Sequence, residues 1–176
     1  LKNTHWITAS IEHASVLECV RELERRGAHV DYIPVLASGS IDFEELKKKI
    51  TPATTLVSLQ YVNNEIGTVE PVAEIAKLVR RIRGDRSYPL LHIDASQAIL
   101  CNEISMEKLS ADLLTLDGHK IYGPKGIGIL YRRHSISLTP LVYGGGQEFG
   151  LRSGTENVAS IVGLAQALNI ASKKRS

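Results

Sequence analysis

The chain has 176 residues, with 21 Lys and Arg against 19 Asp and Glu and a formal net charge of +2, which excludes a basic nucleic-acid-binding arm and an acidic tail. Hydrophobic residues make up 43% and charged ones 23%, the proportions of a chain that folds around a core rather than a disordered one. No apolar run approaches about 18 residues and no export or lipidation signal occurs, so no membrane association is expected; two cysteines, Cys19 and Cys101, fit a reducing, cytoplasmic setting.

In chain order, the first strand is expected over residues 6–9, so close behind Leu1 that the sequence reads as a piece of something longer. A helix over about 14–26 follows, with Val16, Val20 and Leu23 on one face and Gly27 as its stop, then a strand over 29–34. Asp42 caps a second helix whose apolar side carries Phe43, Leu46 and Ile50, and a strand over 55–61 comes next. Pro71 opens a third helix over 72–83, and the polar run Gly84-Asp85-Arg86-Ser87 is a loop. Strands over 90–94, 113–116 and 127–132 and a last helix around 158–171 complete the pattern, with Lys173-Lys174-Arg175 as a solvated helix end. Strands alternating with helices predict an α/β fold with a mainly parallel central sheet flanked by helices.

Polar clusters recur just past the carboxyl ends of these strands, where open α/β sheets bind ligands. They are Glu12-His13-Ala14, Asn63-Asn64-Glu65, Asp94-Ala95-Ser96-Gln97 and Asp117-Gly118-His119-Lys120. Any one of them alone reads sooner as a helix cap or a surface loop than as a site, but four at equivalent strand ends suggest the walls of one site. In such a crevice a lysine is a natural Schiff-base former with an aldehyde cofactor, and a carboxylate facing a pyridine nitrogen keeps that nitrogen protonated, so that the ring acts as an electron sink. Lys120, Asp94 and His13 supply that arrangement, His13 as the ring-stacking proton carrier, with Asn64 and Gln97 as partners for the cofactor's phenolic oxygen.

The run Gly123-Pro124-Lys125-Gly126-Ile127-Gly128 leads into a strand and lacks the spacing of a phosphate loop, so it reads as a tight turn that holds Lys120. In the second glycine cluster, Gly144-Gly145-Gly146-Gln147-Glu148 and Arg152 to Asn157, the Ser153 and Thr155 hydroxyls either contact a phosphate at the start of the last helix or belong to a plain loop with a threonine cap. Cys101, beside an apolar run, and Cys19, on a helical face with Val16, Val20 and Leu23, are expected to be buried structural thiols. No metal site is expected.

Taken together and in this order, Ile11-Glu12-His13, Asn63-Asn64-Glu65-Ile66-Gly67, His92-Ile93-Asp94-Ala95-Ser96-Gln97, Gly118-His119-Lys120-Ile121-Tyr122-Gly123-Pro124 and the Gly144–Glu148 and Arg152–Asn157 clusters resemble the cysteine desulfurases of the class-V aminotransferase family, of the kind serving iron–sulfur cluster assembly. The resemblance runs from about Ile7 to Ala171. It implies the large domain of a fold type I pyridoxal 5'-phosphate enzyme, with Lys120 as the Schiff-base lysine, Asp94 on the pyridine nitrogen, and His13 stacked on the ring and carrying protons. Asn64 and Gln97 would bind the ring oxygen, His119 would help hold the phosphate, and Thr155 would reach the phosphate of a neighbouring subunit in a homodimer. The implied reaction converts L-cysteine to L-alanine and an enzyme persulfide, whose sulfur passes to an acceptor or scaffold protein.

Two departures accompany the resemblance. Asp117 stands where the family usually has serine, and a carboxylate beside a phosphate must turn away, take a proton or pair with a cation. Family members are about twice as long, so residues 1–176 are expected to form a single cofactor-binding domain without the family's N-terminal segment or its C-terminal small domain, the part that carries the persulfide cysteine. The competing expectations are a non-catalytic module with weak or no cofactor binding, and a selenocysteine lyase or another class-V enzyme.

Overall fold

The computed structural model describes residues 2–174 and contains one six-stranded sheet in the order β2-β1-β3-β4-β5-β6. Its elements are β1 (His5–Ala9), α1 (Ala14–Arg25), β2 (His29–Ile33), α2 (Phe43–Lys49), β3 (Thr54–Gln60), α3 (Val72–Arg83), β4 (Leu90–Asp94), α4 (Met106–Leu109), β5 (Leu113–Asp117), β6 (Gly128–Arg132) and α5 (Val158–Lys174). β1 to β5 are parallel and β6 returns antiparallel to β5, which fits the mainly parallel sheet expected from the sequence. Among the described residues no helix is long and apolar enough to cross a membrane.

The chain leaves β1 towards β2 on one side and returns to β3 on the other, so the order reverses between β1 and β3. Loops leaving the carboxyl ends of β1 and β3 diverge there and open a crevice, the usual ligand position in open parallel sheets. Below the crevice one face of the sheet is apolar: Ile7, Ala9, Val57, Leu59, Leu91, Ile93 and Leu114 are at most 1% exposed and cluster with Leu46, Ile75 and Val79. Burying each such side chain contributes on the order of 1.5–3 kcal/mol, enough to fix which face of every strand turns inward.

Local chemistry sets the element ends. Asp42 accepts from Glu45 N at 2.9 Å and starts α2, as expected; α3 follows Pro71 and stops at Gly84, whose φ of +55° suits glycine. β3 begins at Thr54, one residue earlier than expected, because its hydroxyl accepts from Thr51 N at 2.9 Å and meets His5 Nδ1 at 3.0 Å. The four-residue α4, capped by the Ser105 hydroxyl on Lys108 N at 3.3 Å, is too short to show a periodicity and was absent from the expected elements. Lys173 and Lys174 end α5 in solvent; Arg175 lies outside the described residues.

The two cysteines depart from expectation: both are exposed. The face of α1 that carries Val16, Cys19, Val20 and Leu23 lines an open groove of about 610 Å³ instead of the core, and Val20 is the buried residue of that helix. Cys101 ends the turn after β4, its N–H on Ala98 O at 3.0 Å.

Candidate active site

A cavity of about 170 Å³ lies at the crevice, and its walls come from four strand ends that neighbour one another in the sheet. His13 and Ser15 enter after β1, Gln60, Val62 and Asn64 at the end of β3, Asp94, Ser96 and Gln97 after β4, and Asp117 and Lys120 after β5. Six of the eight site residues named from the sequence, His13, Asn64, Asp94, Gln97, Asp117 and Lys120, therefore share one space. An engineered protein cavity of about 150 Å³ accepts benzene, so the space suits one substituted aromatic ring.

Lys120 sits in a single turn of 3-10 helix, His119–Ile121. Gly118 N–H donates to Ile127 O at 3.0 Å and Gly123 N–H to Gly118 O at 3.0 Å, which close the glycine-rich turn around the lysine as the sequence suggested. The backbone packs so closely that a Cβ on Gly123 would meet Gly118 O at 2.8 Å and the Ala167 side chain at 3.2 Å. α5 seats against this turn through Leu164, Ala167 and Ala171, packed on Ile121. Lys120 is half-buried, and its ammonium makes no hydrogen bond or ion pair among the described residues.

Asp94 ends β4 facing the same cavity. Its Oδ1 accepts Ser96 N–H at 3.0 Å and the Thr115 hydroxyl at 3.4 Å, while Oδ2 has no hydrogen-bond partner among the described residues. His13 caps α1: its Nδ1 accepts Ser15 N–H at 3.2 Å and lies 2.8 Å from the Ser15 hydroxyl. The cap places the free ring proton on Nε2 and points the positive end of a twelve-residue helix towards the crevice. The cap and wall roles of this cluster, alternatives in the sequence, thus coincide in one residue.

His119 stands apart on the rim: exposed, it lines the adjoining groove and pairs through Nδ1 with Asp117 Oδ1 at 2.7 Å. The carboxylate at the unusual position is thereby turned to an imidazole on the rim, which is a cation only when both ring nitrogens carry protons. Thr155 is exposed and does not line the cavity. The threonine-cap reading of its loop is corrected, since α5 is capped by Asn157, which accepts Ser160 N–H at 3.1 Å; the loop itself is held by Ser153 Oγ donating to Gly145 O at 2.8 Å and Gly154 N–H to Gln147 Oε1 at 3.2 Å.

Asn63 is structural, donating to Ile11 O at 3.2 Å and accepting from Glu65 and Ile66 N–H, which leaves Asn64 for the cavity. Behind the wall Glu12 is 5% exposed, with Oε1 on Gln60 N–H at 2.9 Å and Oε2 unpartnered. Burial pushes its carboxyl up to about 8 from an ordinary 4.5, against the bond to Gln60 and helped by the nearby charges of Asp94 and Glu70. Gln60, buried beside it with Nε2 on Ile11 O at 3.1 Å, was missed from the sequence. The signal was present as alternation at the carboxyl ends: Ser58 and Gln60 flank Leu59 on β3, and His92 and Asp94 flank Ile93 on β4, which turns both polar pairs to the face opposite the buried apolar residues.

At the far end of the strands His5, His29 and Asp31 bring their donor atoms within 4.8 Å of one another. Asp31 is already held by His5 Nε2 at 3.0 Å and by the Lys49 ammonium at 3.1 Å, so the local positive charge comes from protein.

The family model described as aminotransferase class-V matches residues 1–175. The chain is 43% identical over 173 residues to the cysteine desulfurase IscS 1 of Archaeoglobus fulgidus, covering 98% of this chain and 44% of that protein. It is 50% identical over 165 residues to the mitosomal cysteine desulfurase of Trachipleistophora hominis, covering 93% and 36% respectively. The solved structure of a NifS-like protein superposes with a TM-score of 0.92 at 44% identity, over 98% of this chain and 46% of that one. The chain thus spans less than half the length of these relatives.

Proposed function

Because the chain belongs to the class-V aminotransferase family, we propose that its ring-sized cavity binds pyridoxal 5'-phosphate and that it is the cofactor-binding domain, residues 1–176, of a cysteine desulfurase. The observation that carries this reading is the shared cavity of Asp94 and Lys120, a carboxylate oxygen and an amine that have no partner among the described residues, at the carboxyl ends of the adjacent parallel strands β4 and β5. A ring bearing a basic nitrogen and an aldehyde satisfies both groups at once, so the donor set fits the cofactor.

When bound, pyridoxal 5'-phosphate supplies an electron sink for bonds at the substrate's α-carbon. The protein's part is to hold and to move protons. Asp94 Oδ2 would hold a proton on the ring nitrogen, and Lys120 Nζ would hold the aldehyde and could serve as a base. His13, with its proton on Nε2, would cover the ring and could exchange a proton there, while Asn64 and Gln97 would hold the ring oxygen. His119 and, from a second copy of the chain, Thr155 take the phosphate. A homodimer is part of the proposal, supported by the nearly bare Leu141, Tyr143 and Phe149 around the second glycine cluster, 93%, 79% and 99% exposed.

The reaction proposed is removal of sulfur from L-cysteine, leaving L-alanine and a protein persulfide that a scaffold or other acceptor draws on for iron–sulfur cluster assembly. The relatives named as cysteine desulfurases support it. Cys19 and Cys101 line no part of the cavity and are not proposed as the sulfur carrier; as unpaired thiols they suit a reducing, cytoplasmic location.

The test is chemical. Incubation with pyridoxal 5'-phosphate followed by borohydride should fix one pyridoxyl group on the peptide that contains Lys120, and Lys120→Ala should remain unlabelled there. Absence of label on Lys120 at saturating cofactor would refute the assignment.

A further inference from the structure

Four polar side chains from three neighbouring strands form one hydrogen-bonded row along the open groove beside the cavity, ending at Asp94, which lines both. Ser58 Oγ lies 2.8 Å from His92 Nδ1, His92 Nε2 lies 3.2 Å from Thr115 Oγ1, and Thr115 Oγ1 lies 3.4 Å from Asp94 Oδ1. The row sits on the side of the sheet opposite the apolar core, because Ser58 is paired in register with His92 and Asp94 with Thr115.

The end of the row fixes the direction of every proton in it. A carboxylate only accepts, so the single hydroxyl proton of Thr115 is committed to Asp94. Thr115 then accepts from His92, whose proton must stand on Nε2, and His92 Nδ1 accepts the proton of Ser58. Burial pushes the His92 imidazole below its ordinary value despite the pull of Asp94, in keeping with a ring that carries one proton. All donors therefore aim towards Asp94, and hydrogen bonds aligned in this way polarise one another. Both bonds to Asp94, from Thr115 and from Ser96 N–H, fall on Oδ1 and none on Oδ2.

We propose that Ser58, His92 and Thr115 are positioning residues for the cofactor nitrogen: their row anchors Asp94 through Oδ1 and so reserves Oδ2 for the ring. This rests on the reading of Asp94 given under the proposed function. The row is more than mutual satisfaction of buried polar groups, because its effect should be felt by a ligand only if that ligand has a nitrogen for Oδ2 to meet.

The experiment is a titration of the protein with two ligands, pyridoxal 5'-phosphate and its analogue with the ring nitrogen replaced by C–H, followed by fluorescence. Thr115→Val should weaken the natural cofactor about tenfold and the carbon analogue less than about twofold, the loss of one hydrogen bond to a charged group. Thr115→Ser should restore binding to within about twofold, and His92→Phe should produce a loss of about threefold, again confined to the nitrogen-bearing ligand. The 15N spectrum of the ligand-free, unsubstituted protein should show His92 protonated at Nε2 and bare at Nδ1, a readout that no misfolded variant can block. Equal weakening of both ligands by Thr115→Val, or a His92 proton on Nδ1, overturns the proposal. Asp94→Asn separates the two levels: if it leaves the natural cofactor's affinity unchanged, the reading of Asp94 fails. If it discriminates between the ligands and Thr115→Val does not, the role of the row alone fails.

Discussion

Asp117 Oδ1 lies 2.7 Å from His119 Nδ1, on the rim where β5 hands over to the turn that carries Lys120. The pair bears on how the Asp117 carboxylate would meet the phosphate of the proposed cofactor, because an imidazole protonated at both nitrogens offsets its charge. With side chains 31% and 44% exposed, it is a screened contact worth at most about 1 kcal/mol to stability. Its influence should fall on the ligand.

Asp117→Ser should tighten pyridoxal 5'-phosphate about tenfold at low salt while leaving pyridoxal, which lacks the phosphate, within about twofold. Dissociation constants for the two ligands, measured at low and high ionic strength, check this. A gain shared by both ligands, or one that is insensitive to salt, would mean that Asp117 does not act through phosphate charge.

Glu12 gives a pH dependence of definite sign. Its carboxyl titrates near 8 in the fold because burial disfavours the anion, and near 4.5 once exposed. Between those values the native state holds a proton that the unfolded state has lost, so stability falls as pH rises, by about 1 kcal/mol per pH unit at the steepest. Glu70, only 2% exposed and also shifted upwards by burial, adds to the same slope. Urea unfolding from pH 5 to pH 9 should show the decline, and Glu12→Gln, which keeps an acceptor for Gln60 N–H, should flatten it and be the more stable protein at pH 9. An unchanged slope in the variant would count against a protonated Glu12.

Asp112 is the charged pin beneath β4 and β5. Only 1% exposed, it takes Arg83 Nη1 at 2.6 Å, Arg133 Nη2 at 3.1 Å and Leu91 N–H at 2.8 Å. Removing one member of such a cluster strands the rest, so Asp112→Ala should cost about 3–5 kcal/mol in denaturant midpoint experiments. Replacing both buried partners, Asp112→Leu with Arg83→Met, should cost clearly less than the sum of the two single changes. Additive losses would mean that the pair is not coupled.

The α/β class, the strand order's raw material and most of the cavity's residues were readable in the sequence, for a physical reason common to all three. Parallel strands buried on one face must be apolar at alternate positions, and the polar residues that follow Ala9, Gln60, Ile93 and Leu116 fall at the carboxyl ends where such sheets expose a crevice. Asp42 as a cap and the glycines around Lys120 were equally legible, since capping and tight turns depend on neighbours in the chain.

What the chain could not announce by itself depends on partners distant in sequence. Cys19 lies on an apolar helical stripe, yet it is exposed because that stripe meets a groove, and a stripe does not record what covers it. The burial of Glu12, the pairing of Asp117 with His119 and the row from Ser58 to Asp94 join residues by register across strands and by the fold of one turn. Residue types therefore determined which chemistry was available, and the tertiary packing decided which oxygen, nitrogen and proton each group has left to offer, because hydrogen bonds and desolvation act over a few ångströms of space and not over distance along the chain.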